Sequence, residues 1–559
     1  MRKKSYLLFL AAVMILMTIF AGCTTKQADP SPSPGSSTAQ PSSTEPSKSP
    51  EPTEPEQLTE ITLPISKEPI TLTIYTALNA PDLQYFTNLA ETPVAKEIMK
   101  RTGINLKFIH PPVGQEKEQF NIMLASGDRP DIVVGMFNDY KGGPSQAVAD
   151  GLIIDPTELV QKYAPNFKRL LANDPMADKV VRNAEGTFLG GFGASMSLDK
   201  PFGEDHAYVG MMIRQDYLDK VSLPMPETID EWYTVLKAFK DQLGLEAPFA
   251  WNHNGKPGSD ILENSSIIAS AFGVKGKDFY HDNNVVKYAP IEPGYKEYLT
   301  VLNKWYKEGL ITKDFATHTY DEHVLSEMQS GKSGAAAMHL YWYASIKDKM
   351  EPGAKLVPAL SPVVNKGDRL RLRDAYGWFV SKANAKHITT NNKYPIESVK
   401  LIDWLYSEEA KLLTNWGIEG ESYTLVDGNP QFTDMYKEDQ AKVGSMYSPN
   451  RLKQNMDDRM NMLQYPLPEQ HEAFDLWEGQ ATNEMALPPG RIFTDEEKNE
   501  NDKIMTEVET YQGEMFLKFV MGIEPLDKFD SYVNTIKSLK IDNVIKNNQA
   551  ALDRLNSRS

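Results

Sequence analysis

Apolar and polar positions alternate from Ile70 to Tyr75, the period of a half-buried strand. From Thr92 to Gly103 the spacing becomes helical. Thr92 stands as N-cap, Pro93 at the first helical position and Gly103 just past the end. Ile104 to Ile109 reads as a second strand, Gln115 to Ala125 as a second helix and Asp131 to Val134 as a short third strand. Strands alternating with helices at this spacing predict βαβ units and a parallel sheet. Ligands on such sheets sit in the crevice at the carboxyl ends of the strands. That rule singles out Asn79 and Asp82 after the first strand, and Phe137, Asp139 and Tyr140 after the third. Further on the pattern is more helical. Thr228 to Glu231 forms a capping box opening a helix to about Leu243. Gly294 to Glu308 is a helix closed by Gly309, residues 395–415 hold helical patterns, and 505–555 read as three consecutive helices.

The first sixty residues follow neither period. Arg2, Lys3 and Lys4 precede an uncharged apolar run from Tyr6 to Gly22, the layout of a secretory signal. Ala21 and Gly22 directly before Cys23 resemble the bacterial lipobox, although Phe20 stands where that motif usually has Leu, Val or Ile. The resemblance implies removal of residues 1–22 and a lipid on Cys23. Residues 24–56 are mostly Ser, Thr and Pro. They cannot bury enough apolar surface to offset their ordering entropy, and proline keeps them extended. A lipid followed by such a spacer predicts a protein held at the outer face of a cell membrane, and a spacer of this length suits a Gram-positive wall.

The 559 residues call for more than one ordinary domain. With 59 Lys and Arg against 76 Asp and Glu, the net charge is −17, which argues against nucleic acid as a partner. One cysteine excludes disulfides and thiolate metal sites. Catalytic motifs are missing as well. Gly331-Lys332-Ser333 lacks the leading glycine of a phosphate loop, because residue 326 is Ser. His318 and His323 lack a zinc-protease frame, and no serine elbow is present. A pair of glycosidase carboxylates could hide among the many acids, so a lyase or glycosidase stays open as the alternative. No cofactor is expected.

Several stretches in order resemble bacterial extracellular solute-binding proteins of family 1, the substrate receptors of ABC importers, and among them the large LipO-like lipoproteins. They are Asn121–Val133, Gly151–Pro156, Tyr163–Asn166, Ile213–Lys220, Thr228–Lys240, Trp305–Ile311, Trp416–Tyr423 and Met521–Glu524. The resemblance implies a periplasmic-binding-protein-like type II fold, two α/β lobes joined by hinge strands. It puts the first lobe at 58–207 plus 334–377 and the second at 208–333 plus 378–559. Crossings are expected near His206–Met212, Gly331–Gly334 and Tyr376–Val380. It also implies an oligosaccharide ligand, a non-sugar solute such as a peptide being the other possibility. Two permease subunits and a cytoplasmic ATPase would be the partners of a monomeric receptor. Many large relatives carry a calcium loop after the Thr-capped helix. Lys240–Pro248 lacks the alternating oxygen ligands for it, so no metal is expected there.

Sugars present apolar C–H faces to aromatic rings and hydroxyls to polar side chains. Where family loops would face the cleft, this chain has Trp342 and Tyr343 in the run Tyr341-Trp342-Tyr343, Tyr376 and Trp378 flanking Gly377, and Trp251 with Asn252. Three adjacent aromatics cannot all enter one core, so at least one should face the cleft. Arg369, Arg371 and Arg373 alternate on one strand face. They read as a solvated edge or, for Arg373, as a partner for an acidic sugar. Trp232, Trp305 and Trp404 sit inside helical patterns and read as core.

Overall fold

The computed structural model describes residues 60–197, 199, 207–252, 267–317, 323–372, 380–488 and 490–558. The predicted first elements form where the sequence places them. Strand β1 (Ile70–Tyr75) pairs in parallel with β2 (Ile104–Ile109) and β3 (Ile132–Val134). The helix Pro93–Thr102 is capped by the Thr92 hydroxyl, which accepts from the Ala95 amide, and ends at Gly103 in the left-handed region.

Two apolar cores define two lobes. The first is built on the sheet of β1, β2, β3 and β12 (Lys386–Ile388), the last antiparallel to β3. Gly135 makes this pairing possible. A Cβ there would lie 2.3 Å from the Ala383 carbonyl oxygen, and its φ of +76° is one that only glycine adopts freely. The second core surrounds a mixed sheet. Strand β5 (Val209–Arg214) lies antiparallel to β9 (Ala335–His339) and β10 (Leu356–Ala359), and β6 (Phe249–Ala250) runs parallel to β9. Gly210 lets the Trp477 ring lie directly on this sheet, since a Cβ would come within 2.2 Å of it. Hairpins β7–β8 (Phe279–Asp282, Val285–Tyr288) and β13–β14 (Tyr423–Val426, Asn429–Phe432) are separate two-stranded pieces. The tail supplies three helices, Asp495–Met521, Phe529–Ser538 and Ile541–Asn556, the first starting earlier than its pattern suggests.

The chain passes between the lobes differently from the expectation. Strand β9 pairs with β5 and β6, so 334–372 belongs to the second lobe; β12 and the segment to about 457 complete the first. Gly331–Gly334 is no crossing, because the Gly334 carbonyl accepts from Arg214 and its amide donates to Pro248, all within the second lobe. A crossing instead follows Asp457, where the first core gives way to Tyr465 of the second. Elsewhere the first core holds residues up to Met196 and the second takes over at Ala207; the second holds residues up to Leu372 and the first resumes at Val380. The first-lobe ends at Met196 and Val380 run side by side. Strand β4 (Ser195–Met196) pairs with β11 (Val380–Ser381), and the Met196 backbone bonds to Gln454 and Met456. The C-terminus adds another tie. Arg558 donates to the carbonyls of Lys179 and Arg182, at 3.3 and 3.2 Å, and to that of Asn183, at the end of the first-lobe helix Pro175–Val181. The Lys179 and Arg182 carbonyls close that helix, where a cation is favoured, and the Asn183 carbonyl also accepts from the Gly186 amide at 3.0 Å.

Candidate functional site

Because β1, β2 and β3 are parallel, the segments after them share one edge of the first lobe. Asn79 and Asp82 lie there together. The Asp82 carboxylate accepts from the Asn79 amide at 3.3 Å, the Asn79 side chain at 3.1 Å and the Ser445 hydroxyl at 2.8 Å. Arg451 enters the same edge. Its Nε donates to the Ala77 carbonyl at 3.1 Å and its Nη1 to Asn384 Oδ1 at 2.9 Å, and the charges of Asp82 and Glu116 act on it. Burial nevertheless lowers its pKa, so its charge is only partly compensated. Asp139 is exposed, and the half-buried Tyr140 donates to Asp150 at 2.8 Å. Phe137 is not a cleft residue. It is fully buried, edge-on to Phe120 at 5.1 Å and to His387 at 5.6 Å, because β3 turns it under the sheet.

The second lobe contributes rings. In the run of three aromatics, Tyr343 is buried and its hydroxyl donates to the Leu356 carbonyl at 2.9 Å, so it is core. Trp342 is half-buried against that core, and Tyr341, 51% exposed, meets it edge-on at 5.2 Å. The pairing of Val209 with His339 brings Tyr208 beside the end of β9. The Tyr208 ring stacks with His339 at 6.0 Å and Tyr465 at 5.5 Å. Burial pushes the His339 pKa down to about 4, so the ring is neutral and its Nδ1 accepts from the Tyr341 amide at 3.1 Å.

Across the boundary, the first lobe presents Tyr436, stacked on Phe432 at 4.3 Å, with Phe432 against Trp416 at 4.9 Å. After burial, the nearby Tyr341 raises the pKa values of both Tyr436 and Tyr465. Exposed and half-buried rings thus lie on both lobes, Tyr341 and Tyr208 on the second and Tyr436 on the first.

Other expected residues fall elsewhere. Trp251 is 2% exposed, stacked on Phe315 at 4.2 Å with Asn252 buried beside it, so both belong to the second-lobe interior. They extend a strand, β6, that is covered on both faces. Cys23, Arg373, Tyr376 and Trp378 lie outside the described residues. Arg371 pairs with Glu484 at 2.8 Å and Asp282 at 3.2 Å, as a solvated edge would, and Trp232, Trp305 and Trp404 are core. In the calcium-loop position of the relatives, Lys240 points its ammonium at the Glu308 and Gly309 carbonyls. Sequence reasoning missed Tyr208, His339, Tyr436, Tyr465 and Arg451. None follows a strand of the parallel sheet; the pairing of β5 with β9 places Tyr208 beside His339, and the turn Asn450–Leu452 places Arg451.

The family described as bacterial extracellular solute-binding protein matches residues 82–412, more than half of the chain. Lipoprotein LipO of Bacillus subtilis (strain 168) is 26% identical over 479 residues, 81% of each chain. A fructooligosaccharide ABC transporter substrate-binding protein, FusA of Streptococcus pneumoniae serotype 4, is 25% identical over 347 residues, 59% of this chain and 60% of its own. The crystal structure of alginate-binding protein AlgQ2 without calcium ion superposes with a TM-score of 0.63 at 25% identity, covering 87% of this chain and 99% of that one. The shared fold is periplasmic-binding-protein-like, and the family's proteins bind solutes without transforming them. With two lobes on separate cores and a family match over more than half of its length, the chain belongs to the bacterial extracellular solute-binding proteins.

Proposed function

We propose that the protein is the membrane-anchored extracellular receptor of an ABC importer, capturing an oligosaccharide between its lobes and delivering it to the permease. The observation that carries the sugar reading is the set of exposed and half-buried rings on the two lobes, Tyr341 and Tyr208 on one and Tyr436 on the other. Rings bring large apolar area with little conformational freedom to lose. The polar edge with Asn79 and Asp82 supplies partners for hydroxyls. Relatives named for fructooligosaccharide, polygalacturonan/rhamnogalacturonan and alginate binding support the same class. Ligand would shift the lobes toward a closed form that it binds better. Cys23 would carry the lipid after removal of residues 1–22, leaving a monomer on the outer face of the membrane.

A thermal-shift screen tests this with fructan, galacturonan, rhamnogalacturonan and alginate oligomers. One of these classes raises the unfolding midpoint, and the oligomer is recovered without new reducing ends. No shift with any sugar, or cleavage of one, refutes the reading. Cys23→Ala is expected to release soluble protein that binds the same oligomer.

A further inference from the structure

The first lobe encloses a cavity of about 20 Å³, between its sheet and the helices that cover it, lined by apolar side chains such as Ile74, Leu89 and Leu401. That volume admits one water-sized species. Three polar side chains reach it: Thr76, Lys386 and Arg451. Thr76 is 1% exposed, and its hydroxyl has no hydrogen-bond partner. A buried hydroxyl left unpaired costs about 1–3 kcal/mol. Lys386 is 5% exposed, and among the described residues its ammonium makes one long bond, to the Asn384 carbonyl at 3.4 Å.

The charge balance is unusual. Buried ammonium groups are ordinarily paired with an acid. Here the charge acting on Lys386 is that of Arg451, of the same sign, while Asp82 and Glu116 act on Arg451. Burial, then Arg451, pull the Lys386 pKa down to about 7. A neutral occupant would leave the two cations facing each other.

We infer that this cavity is a site for one chloride-sized monovalent anion, held by the Lys386 ammonium and the Thr76 hydroxyl and balanced by Arg451. The anion accepts from both donors and supplies the missing negative charge. It locks the start of β12 to the end of β1 from inside the lobe, so it is a structural ion of the first lobe. The site is independent of the sugar reading and should fill in the ligand-free protein.

Crystals of the ligand-free protein soaked in sodium bromide test the assignment through the bromine anomalous signal. A peak in the cavity beside Lys386 Nζ and Thr76 Oγ1 is expected; a water there with no anomalous peak overturns the inference. In solution, the unfolding midpoint is compared in sodium chloride and in sodium gluconate of equal ionic strength. Chloride should raise the midpoint to a plateau; Lys386→Met should abolish the rise and Thr76→Val reduce it. Lys386→Met and Thr76→Val each remove the donor while keeping a side chain of similar size. Equal midpoints in the two salts, or a chloride effect unchanged in Lys386→Met, refute the site.

Discussion

Tyr341 offers a direct test of the lobe boundary as a sugar site. A tyrosine contributes about 150–250 Å² when fully buried, and 51% of this one is open to solvent. Closing the lobes on a ligand can therefore cover roughly 75–125 Å² of it, worth about 2–3 kcal/mol at about 25 cal/mol per Å². Tyr341→Ala should then weaken binding of the oligomer found in the screen by about 30- to 150-fold. An exposed side chain away from packing contributes little to folding, so stability should change by less than about 0.5 kcal/mol. Tyr343→Phe is the matched control. It removes the bond to the Leu356 carbonyl from a buried ring and should cost about 1–3 kcal/mol of stability with affinity unchanged. Isothermal titration calorimetry reads affinity, and urea denaturation reads stability. If Tyr341→Ala binds within threefold of wild type, the rings at the boundary do not carry the ligand, and the reasoning fails.

Other outcomes follow from the fold. Gly210→Ala drives a methyl into the Trp477 ring and should cost about 1–3 kcal/mol or more, seen as a lower urea midpoint with an unchanged slope. Arg558→Ala removes three contacts to the helix Pro175–Val181 and its exit. Faster hydrogen exchange is expected at the end of that helix and in the last turn of Ile541–Asn556, and unchanged exchange there would show that the tie is idle. His387 is buried with both ring nitrogens unpartnered, and burial holds its pKa at about 4, against an ordinary 6.5. The folded protein thus binds fewer protons than the unfolded chain between these values. The stability this contributes is complete above pH 6.5 and is lost as pH falls toward 4, up to about 3 kcal/mol. His387→Phe should flatten urea midpoints measured from pH 7 to pH 4, and an unchanged slope against pH would refute the assignment.

Local structure was legible where a period and a cap agree. The alternation of Ile70–Tyr75, the Thr92 and Gly103 boundaries and the Thr228 capping box all read correctly because each is decided within a few residues. Of the three adjacent aromatics Tyr343 is buried and Tyr341 is the most exposed, where the sequence favours Trp342. What could not be read was which strand completes which sheet. Ala335–His339 and Lys386–Ile388 are both short apolar runs of a kind that fits either lobe. Their partners, β5 and β3, lie more than a hundred residues away. The same distance hides Arg451, which looks like any surface arginine until the turn at Asn450 brings it to the carboxyl edge of β1.

The interleaving of the lobes also sets an order of assembly. Export delivers the chain from its N-terminal end, yet the first sheet waits for β12, and its core waits for Leu401 to Leu452. The first lobe cannot finish until the inserted segment 207–372 of the second has threaded out. The second completes only with the helices that end at Asn556. Contacts this distant in sequence make folding slow, and partly delivered chains expose unpaired strand edges and apolar surface. The nearly finished protein therefore passes through an interval in which neighbouring chains can pair through those edges, and that interval closes only when the helix Ile541–Asn556 docks on the second core.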